Sequence, residues 1–279
     1  MQSGEPHPRD DVGARKTTQR KIQMLDKVKE LSEYKLHTSD GDIGEVKDFY
    51  FDDHFWTIRY LIADTGNWLL GKHVLISPYA LTGVNRVERS IAVSLTKDQI
   101  KGSPPLDSHK PISRQYETAY YGYYRWPGYW GGPFSWGPYP YIASNRTQPR
   151  DWAHGGKEYD HHLRSSRQVT GYHIHASDGE IGHVEDFIID DKTWAIRYLI
   201  VDTKNWLPGK RVLISPQWIQ NVSWAESSIF VNVPRDTVRQ APEYIFDSSL
   251  TRDYETVLHR HYLRRGYWAD EPVADLLVF

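Results

Sequence analysis

The chain repeats itself. His37-Thr38-Ser39-Asp40-Gly41-Asp42-Ile43-Gly44 returns as His175-Ala176-Ser177-Asp178-Gly179-Glu180-Ile181-Gly182. Trp56-Thr57-Ile58-Arg59-Tyr60-Leu61-Ile62-Ala63-Asp64-Thr65 returns as Trp194-Ala195-Ile196-Arg197-Tyr198-Leu199-Ile200-Val201-Asp202-Thr203. Val74-Leu75-Ile76-Ser77-Pro78 returns as Val212-Leu213-Ile214-Ser215-Pro216. The offset is constant at about 138 positions, far beyond a solenoid period, so the repeated unit is a whole domain. Each unit spans roughly 70 residues, near the lower size at which a domain can stabilise its own core. The register continues downstream of each unit: Tyr116-Glu117-Thr118 matches Tyr254-Glu255-Thr256, Tyr124 matches Tyr262, and Gly128-Tyr129-Trp130 matches Gly266-Tyr267-Trp268. A spacer has little reason to keep rings in register, so each aromatic tail is expected to dock on folded protein.

The units read as β-structure. Strands are expected at Tyr34 to Thr38, Ile43 to Phe51, Trp56 to Ala63, Lys72 to Ile76 and Ser90 to Leu95, with an Asp40-Gly41 hairpin between the first two. Alternation puts Trp56, Ile58, Tyr60 and Ile62 on one face of the third strand. Thr96-Lys97-Asp98-Gln99 spells a capping box for a short helix. Lys21 to Leu31 is expected to be a short helix leading into the first strand. Many short strands in so few residues suggest a small closed barrel, since closure removes exposed edges. The expected fold is therefore mainly β: two tandem small barrels, each followed by a short helix and an aromatic-rich tail. The boundaries are 1–31 for a polar N-terminal segment, 32–105 for the first barrel, 106–169 for tail and linker, 170–243 for the second barrel and 244–279 for the last tail.

The pattern Asp-Gly-(Asp/Glu)-Ile-Gly-x-Val-x-Asp-Phe, then Trp-x-Ile-Arg-Tyr-Leu-Ile-x-Asp-Thr, then Gly-Lys-x-Val-Leu-Ile-Ser-Pro, resembles the PRC-barrel domain in both copies. That family includes the cytoplasmic part of the photosynthetic reaction-centre H subunit and the C-terminal domain of a ribosome maturation factor. The chain resembles in particular bacterial proteins built of two tandem PRC-barrels. The resemblance implies an adaptor or assembly module with no shared catalytic residue set. The reaction-centre relative has a membrane helix, and the ribosomal relative a different N-terminal domain; neither is seen in this sequence.

Composition narrows the rest. A formal net charge of -2 argues against a dedicated nucleic-acid binder. The absence of cysteine excludes disulfides, thiol nucleophiles and cysteine-held metals. No apolar run of about 18 residues exists to cross a bilayer, and Met1 to Arg20 lacks the apolar stretch of a signal peptide. The expected location is cytoplasmic. Gly66 to Lys72 superficially spells a phosphate loop, but His73 follows in place of Ser or Thr, an extended run replaces the helix, and Lys204 stands where the first copy has Gly66. Asp52-Asp53 and Asp190-Asp191 fit turn chemistry better than an acid–base pair, because adjacent side chains diverge. His173, His175, His259 and His261 read as surface histidines. No catalytic residue, metal site or cofactor is expected.

What remains is a candidate interaction surface: Trp68 and Trp206 in the loops, Tyr120, Tyr124, Trp126 and Trp130 in the first tail, Tyr262 and Trp268 in the second. Burial against the barrels is the simpler use of these rings, and a partner surface the other. Arg59 and Arg197 lie mid-strand among apolar residues and need carboxylate partners. Asp48, Asp52 and Asp64 are available in the first copy, and Asp186, Asp190 and Asp202 in the second; the assigned structural pairs are Arg59 with Asp48 and Arg197 with Asp186. The function expected is non-catalytic adaptor work through protein–protein contacts. By resemblance it concerns reaction-centre-type electron-transfer complexes, through peripheral association with a membrane complex. The alternatives are a module that binds a quinone-like or aromatic molecule, and a ribosome or RNA-processing assembly factor. The protein partner is unidentified. Self-association is compatible with a pseudo-two-fold packing of the copies.

Overall fold

The computed structural model describes residues 24–69, 72–106, 112–130, 162–203, 210–246 and 250–269. The first half runs β1 (Leu25–Lys27), α1 (Val28–Leu31), β2 (Lys35–Thr38), β3 (Gly41–Asp52), β4 (Thr57–Asp64), β5 (His73–Ile76), β6 (Leu81–Asn85), β7 (Ser90–Val93), α2 (Lys97–Lys101) and α3 (Arg114–Tyr124). The second half repeats it as β8 (Leu163–Ser165), α4 (Ser166–Val169), β9 (His173–Ala176), β10 (Gly179–Asp190), β11 (Ile196–Asp202), β12 (Arg211–Ile214), β13 (Ile219–Ser223), β14 (Ser228–Val231), α5 (Arg235–Gln240) and α6 (Arg252–His261). The protein is mainly β, with two mixed sheets of identical strand order: β5-β4-β3-β2-β7-β6 and β12-β11-β10-β9-β14-β13. Only β2–β7 and β9–β14 run parallel.

Among the described residues no pairing joins β5 to β6 or β12 to β13, so each strand path is open where closure was expected. A 3-10 turn, Pro78–Ala80, turns the corner there, with Ser77 Oγ accepting from Tyr79 N. The edge is blunted instead by α3: the Tyr120 hydroxyl donates to Leu75 O at 2.9 Å and accepts from Ser77 N at 3.2 Å. Covering an edge in this way removes the template for pairing with another chain.

Each sheet takes its seventh strand from the other half. β1 pairs with β10, Leu25 opposite Asp190. β8 pairs with β3, Leu163 opposite Asp52. The segments expected to be an N-terminal helix and a linker thus supply strands, and among the described residues before β2 only Val28–Leu31 is helical. Between the sheets, Trp56 O accepts from Ile196 N and Trp194 O from Ile58 N, both at 2.8 Å. These backbone bonds are mates of one another, as at an isologous dimer interface. Phe51 and Phe187 meet at 5.9 Å across this seam, and one buried apolar cluster runs through both halves.

Two local features differ from the alternation rule. Trp56 and Trp194 lie outside the strands, at φ +54° and +57°, in the left-handed region that bulky residues avoid. The seam bonds through their carbonyls hold them there. Further along, Tyr50 faces Tyr60 while Phe51 faces Ile58, leaving Arg59 as a bulge. A bulge reverses the faces beyond it. Ile58, Leu61 and Ala63 therefore join the shared core, while Tyr60 and Ile62 join the cluster under α3. Gly44 and Gly182 have no room for a side chain: a Cβ would lie 1.9 and 2.0 Å from the Asp64 and Asp202 carbonyl oxygens. The capping box forms, with Thr96 Oγ1 accepting from Gln99 N at 3.2 Å and Gln99 Oε1 from Thr96 N at 2.8 Å.

Candidate functional site

Both tails dock, and the same buried clamp holds each. Ser113 and Thr251 cap α3 and α6, and one turn on, Arg114–Glu117 and Arg252–Glu255 form i,i+3 pairs at 3.0 Å. The two glutamates are fully buried. Glu117 Oε1 accepts the Tyr60 hydroxyl at 3.0 Å and the Tyr129 hydroxyl at 2.5 Å. Glu255 Oε1 accepts the hydroxyls of Tyr198 and Tyr267, each at 2.9 Å. The bulged arginine completes the clamp: the Arg59 guanidinium lies 4.1 Å over the Tyr129 ring, and that of Arg197 lies 3.9 Å over Tyr267. Arg114 and Arg252 sit 4.5 and 4.3 Å over Trp130 and Trp268. Burial pushes the Tyr60, Tyr129 and Tyr198 phenols far above their ordinary value, so they stay neutral donors. The buried carboxylates are offset by these phenol donors and by the Arg114 and Arg252 ion pairs.

The assigned partners of the arginines need correction. Arg59 Nε bonds Asp52 at 2.5 Å, and Arg197 bonds Asp190 at 2.6 Å. The pairing of Asp52 with Thr57 at the strand ends brings Asp52 beside the bulge, whereas Asp48 lies opposite Ile62, further along. Burial alone would raise the Asp190 carboxyl; the Arg197 charge outweighs it and holds the group below its ordinary value. Asp48 and Asp186 work at the seam. Asp48 accepts from the Ser165 and Ser166 hydroxyls at 2.5 and 2.9 Å, and Asp186 from Lys29 N at 3.1 Å and Phe187 N at 2.8 Å. Burial pushes the Asp186 carboxyl up to about 6, against the pull of the Phe187 and Lys29 N–H donors.

The candidate rings separate into three groups. Tyr120 and Tyr262 are buried packing. Trp68 is half-buried, with the Lys97 ammonium 5.8 Å from its ring; Trp206 lies outside the described residues. Tyr124, Trp126, Trp130 and Trp268 are half-buried at the lid surface. In the first lid, Trp126 stacks on Tyr124 at 4.5 Å and on Tyr79 at 5.6 Å. The second lid has Gln217 and Arg264 at the places of Tyr79 and Trp126. There Trp218 fills the space from below, 4.4 Å from Tyr262.

Two histidines lie in the clamps, although His259 was expected on the surface. His162 Nε2 is 2.7 Å from the Tyr129 hydroxyl, and buried His259 Nε2 is 2.9 Å from that of Tyr198. Burial lowers His259 to about 4. His173 stays at the surface against Glu180 at 3.0 Å. Reasoning from sequence missed the glutamate clamp, although Glu117 and Glu255 stood in register inside repeated Tyr-Glu-Thr triplets. That register was the usable signal. Among the described residues, no group of three or more histidine or acidic side chains is set to hold a metal ion, and no helix is long and apolar enough to cross a membrane.

The second half matches a family model. Residues 166–238 fit the PRC-barrel domain. The match runs from α4 to α5 and excludes β8 and the tail. A comparison with curated proteins gives no match. The first half has the same strand order as the matched region.

Proposed function

We propose that the protein is a non-catalytic adaptor made of two tandem PRC-barrel units, and that the first aromatic lid is its docking surface. The carrying observation is the difference between the lids: Tyr79, Tyr124 and Trp126 form a half-buried stack on the first, where the second has Gln217, Tyr262 and Arg264. Half-buried aromatic rings beside an arginine are the composition of interface hot spots. The titratable groups of the lids are engaged in holding the tails, which supports a binding role over catalysis. Because the rings already stack on one another, the surface suits a protein face better than a planar quinone. Motif resemblance alone supports the narrower reading, peripheral docking on a reaction-centre-type electron-transfer complex.

The test grafts the second lid's residues onto the first. Crosslinking in native cells, read by mass spectrometry, should recover one protein partner with the unaltered chain. A Tyr79→Gln/Trp126→Arg variant of unchanged melting temperature should lose it. Equal recovery by both overturns the assignment. Recovery of ribosomal proteins would redirect it to assembly of the ribosome.

A further inference from the structure

The seam between the halves carries an inference independent of the lids. It is built from reciprocal backbone pairs, and although the side chains at equivalent places differ, Asp26 and Arg164 or Arg86 and Trp224, the aspartates they meet across it are the same. Beside β1, Asp26 and Arg86 of the first half meet Asp191 of the second, with Arg86 2.8 Å from Asp191. Beside β8, Arg164 of the second half, lying 4.2 Å over the Trp224 ring, meets Asp53 of the first at 2.8 Å. The two local pairs differ, but the residue reaching across is aspartate both times. Helices α1 and α4 repeat the pattern: Lys29 N donates to Asp186 and Arg167 N to Asp48, again aspartate across the seam. The apolar contact joins Phe51 to Phe187, whose counterparts are Ile189 and Phe49, and the isolated bridge joins Thr57 to its own counterpart, Ala195.

A half facing a second copy of itself would therefore meet an aspartate at each of these polar contacts, as it does when facing its twin. Asp26 and Arg86 would find Asp53 in place of Asp191. Arg164 would find Asp191 in place of Asp53. None of these polar contacts gains a like-charge clash in a self-pairing, and such a repulsive element is what specificity between near-identical surfaces requires. We propose that the seam is a self-recognition surface that fits a second copy of either half, and that the covalent tether alone selects closure within one chain. A tether of this kind supplies an effective concentration on the order of millimolar. The surface thus takes a defined partner, another copy of this chain, whenever the tether is cut or the local concentration rivals it.

The experiment uses the full chain with a protease site placed between residues 131 and 161. After cleavage, gel filtration should show the two pieces travelling together. The cut protein is then unfolded in urea, refolded and measured by native mass spectrometry. The expected result is three species, first–first, first–second and second–second, in a ratio approaching 1:2:1, the statistical limit for a seam without preference. Intact chain refolded at rising concentration should show a growing dimer fraction. First–second complexes alone would overturn the proposal by showing that the seam discriminates. Pieces that separate or precipitate on cleavage would overturn it too, since then the seam does not hold without the tether. Neither result bears on the lid variant above, which leaves the seam untouched.

Discussion

The two lids solve one problem with different materials. Their polar part is the same: glutamate, two tyrosine hydroxyls, an i,i+3 arginine and a bulged arginine stacked on a ring. Their apolar part is rearranged. The first lid packs Tyr120 and Tyr121 against Tyr60 and adds Trp126 from outside. The second packs Leu258 and His259 over Trp218 and ends in Arg264. Buried charge resists stepwise change, because removing any one partner strands the others. Ring volume does not, provided the total is kept. The indole stands in the tail of the first lid, Trp126, and in the barrel of the second, Trp218, so the Tyr79–Trp126 stack of the first lid has no counterpart on the second.

Trp218→Ala should break this comparison most strongly, costing about 3–5 kcal/mol through the cavity it leaves. Denaturant unfolding measures it. Adding Arg264→Trp imports the first lid's arrangement and should restore about half of the loss; no restoration would mean that the lids are not interchangeable solutions.

A smaller effect sharpens the comparison through pH. His259, at about 4 against an ordinary 6.5, binds fewer protons folded than unfolded in that window, so it removes stability as pH falls. Asp186, at about 6 against 3.8, binds more protons folded, so it adds stability as pH falls through nearly the same window. Each is worth at most about 3 kcal/mol, since each pKa unit is about 1.4 kcal/mol. Relative to the unaltered chain, His259→Tyr, which installs the residue of the first lid, should gain melting temperature between pH 7 and 5. Asp186→Asn should lose it over the same interval. Parallel curves for all three proteins would refute the assignment.

How far the sequence reveals this architecture depends on length scale. Repeats and registered rings expose the two-fold plan and the docked tails, because both are patterns over many residues. The capping box at Thr96 is legible because its chemistry is local. The exchange is not legible: β1 and β8 are three residues each, too short for any periodicity. β6 is missed because its Leu81-Thr82-Gly83-Val84-Asn85 run is half-buried or exposed throughout and carries no apolar alternation. The bulge at Arg59 hides the true partner of that arginine, since strict alternation misplaces every face beyond it. Trp56 looks like the start of a strand by propensity, yet the seam holds it left-handed. Tertiary contact overrides local preference at these positions, and all of them cluster at the seam or the lids.

The central claim is that each half is completed by a strand of the other. Hydrogen exchange in an Asp26→Pro variant tests it most directly, because proline removes the backbone donor that β1 offers to β10. Amide protection should fall most along β10 and β11, distant in sequence, while β3 and β4 keep most of theirs. Loss centred on β3 and β4, or no loss anywhere, would contradict it.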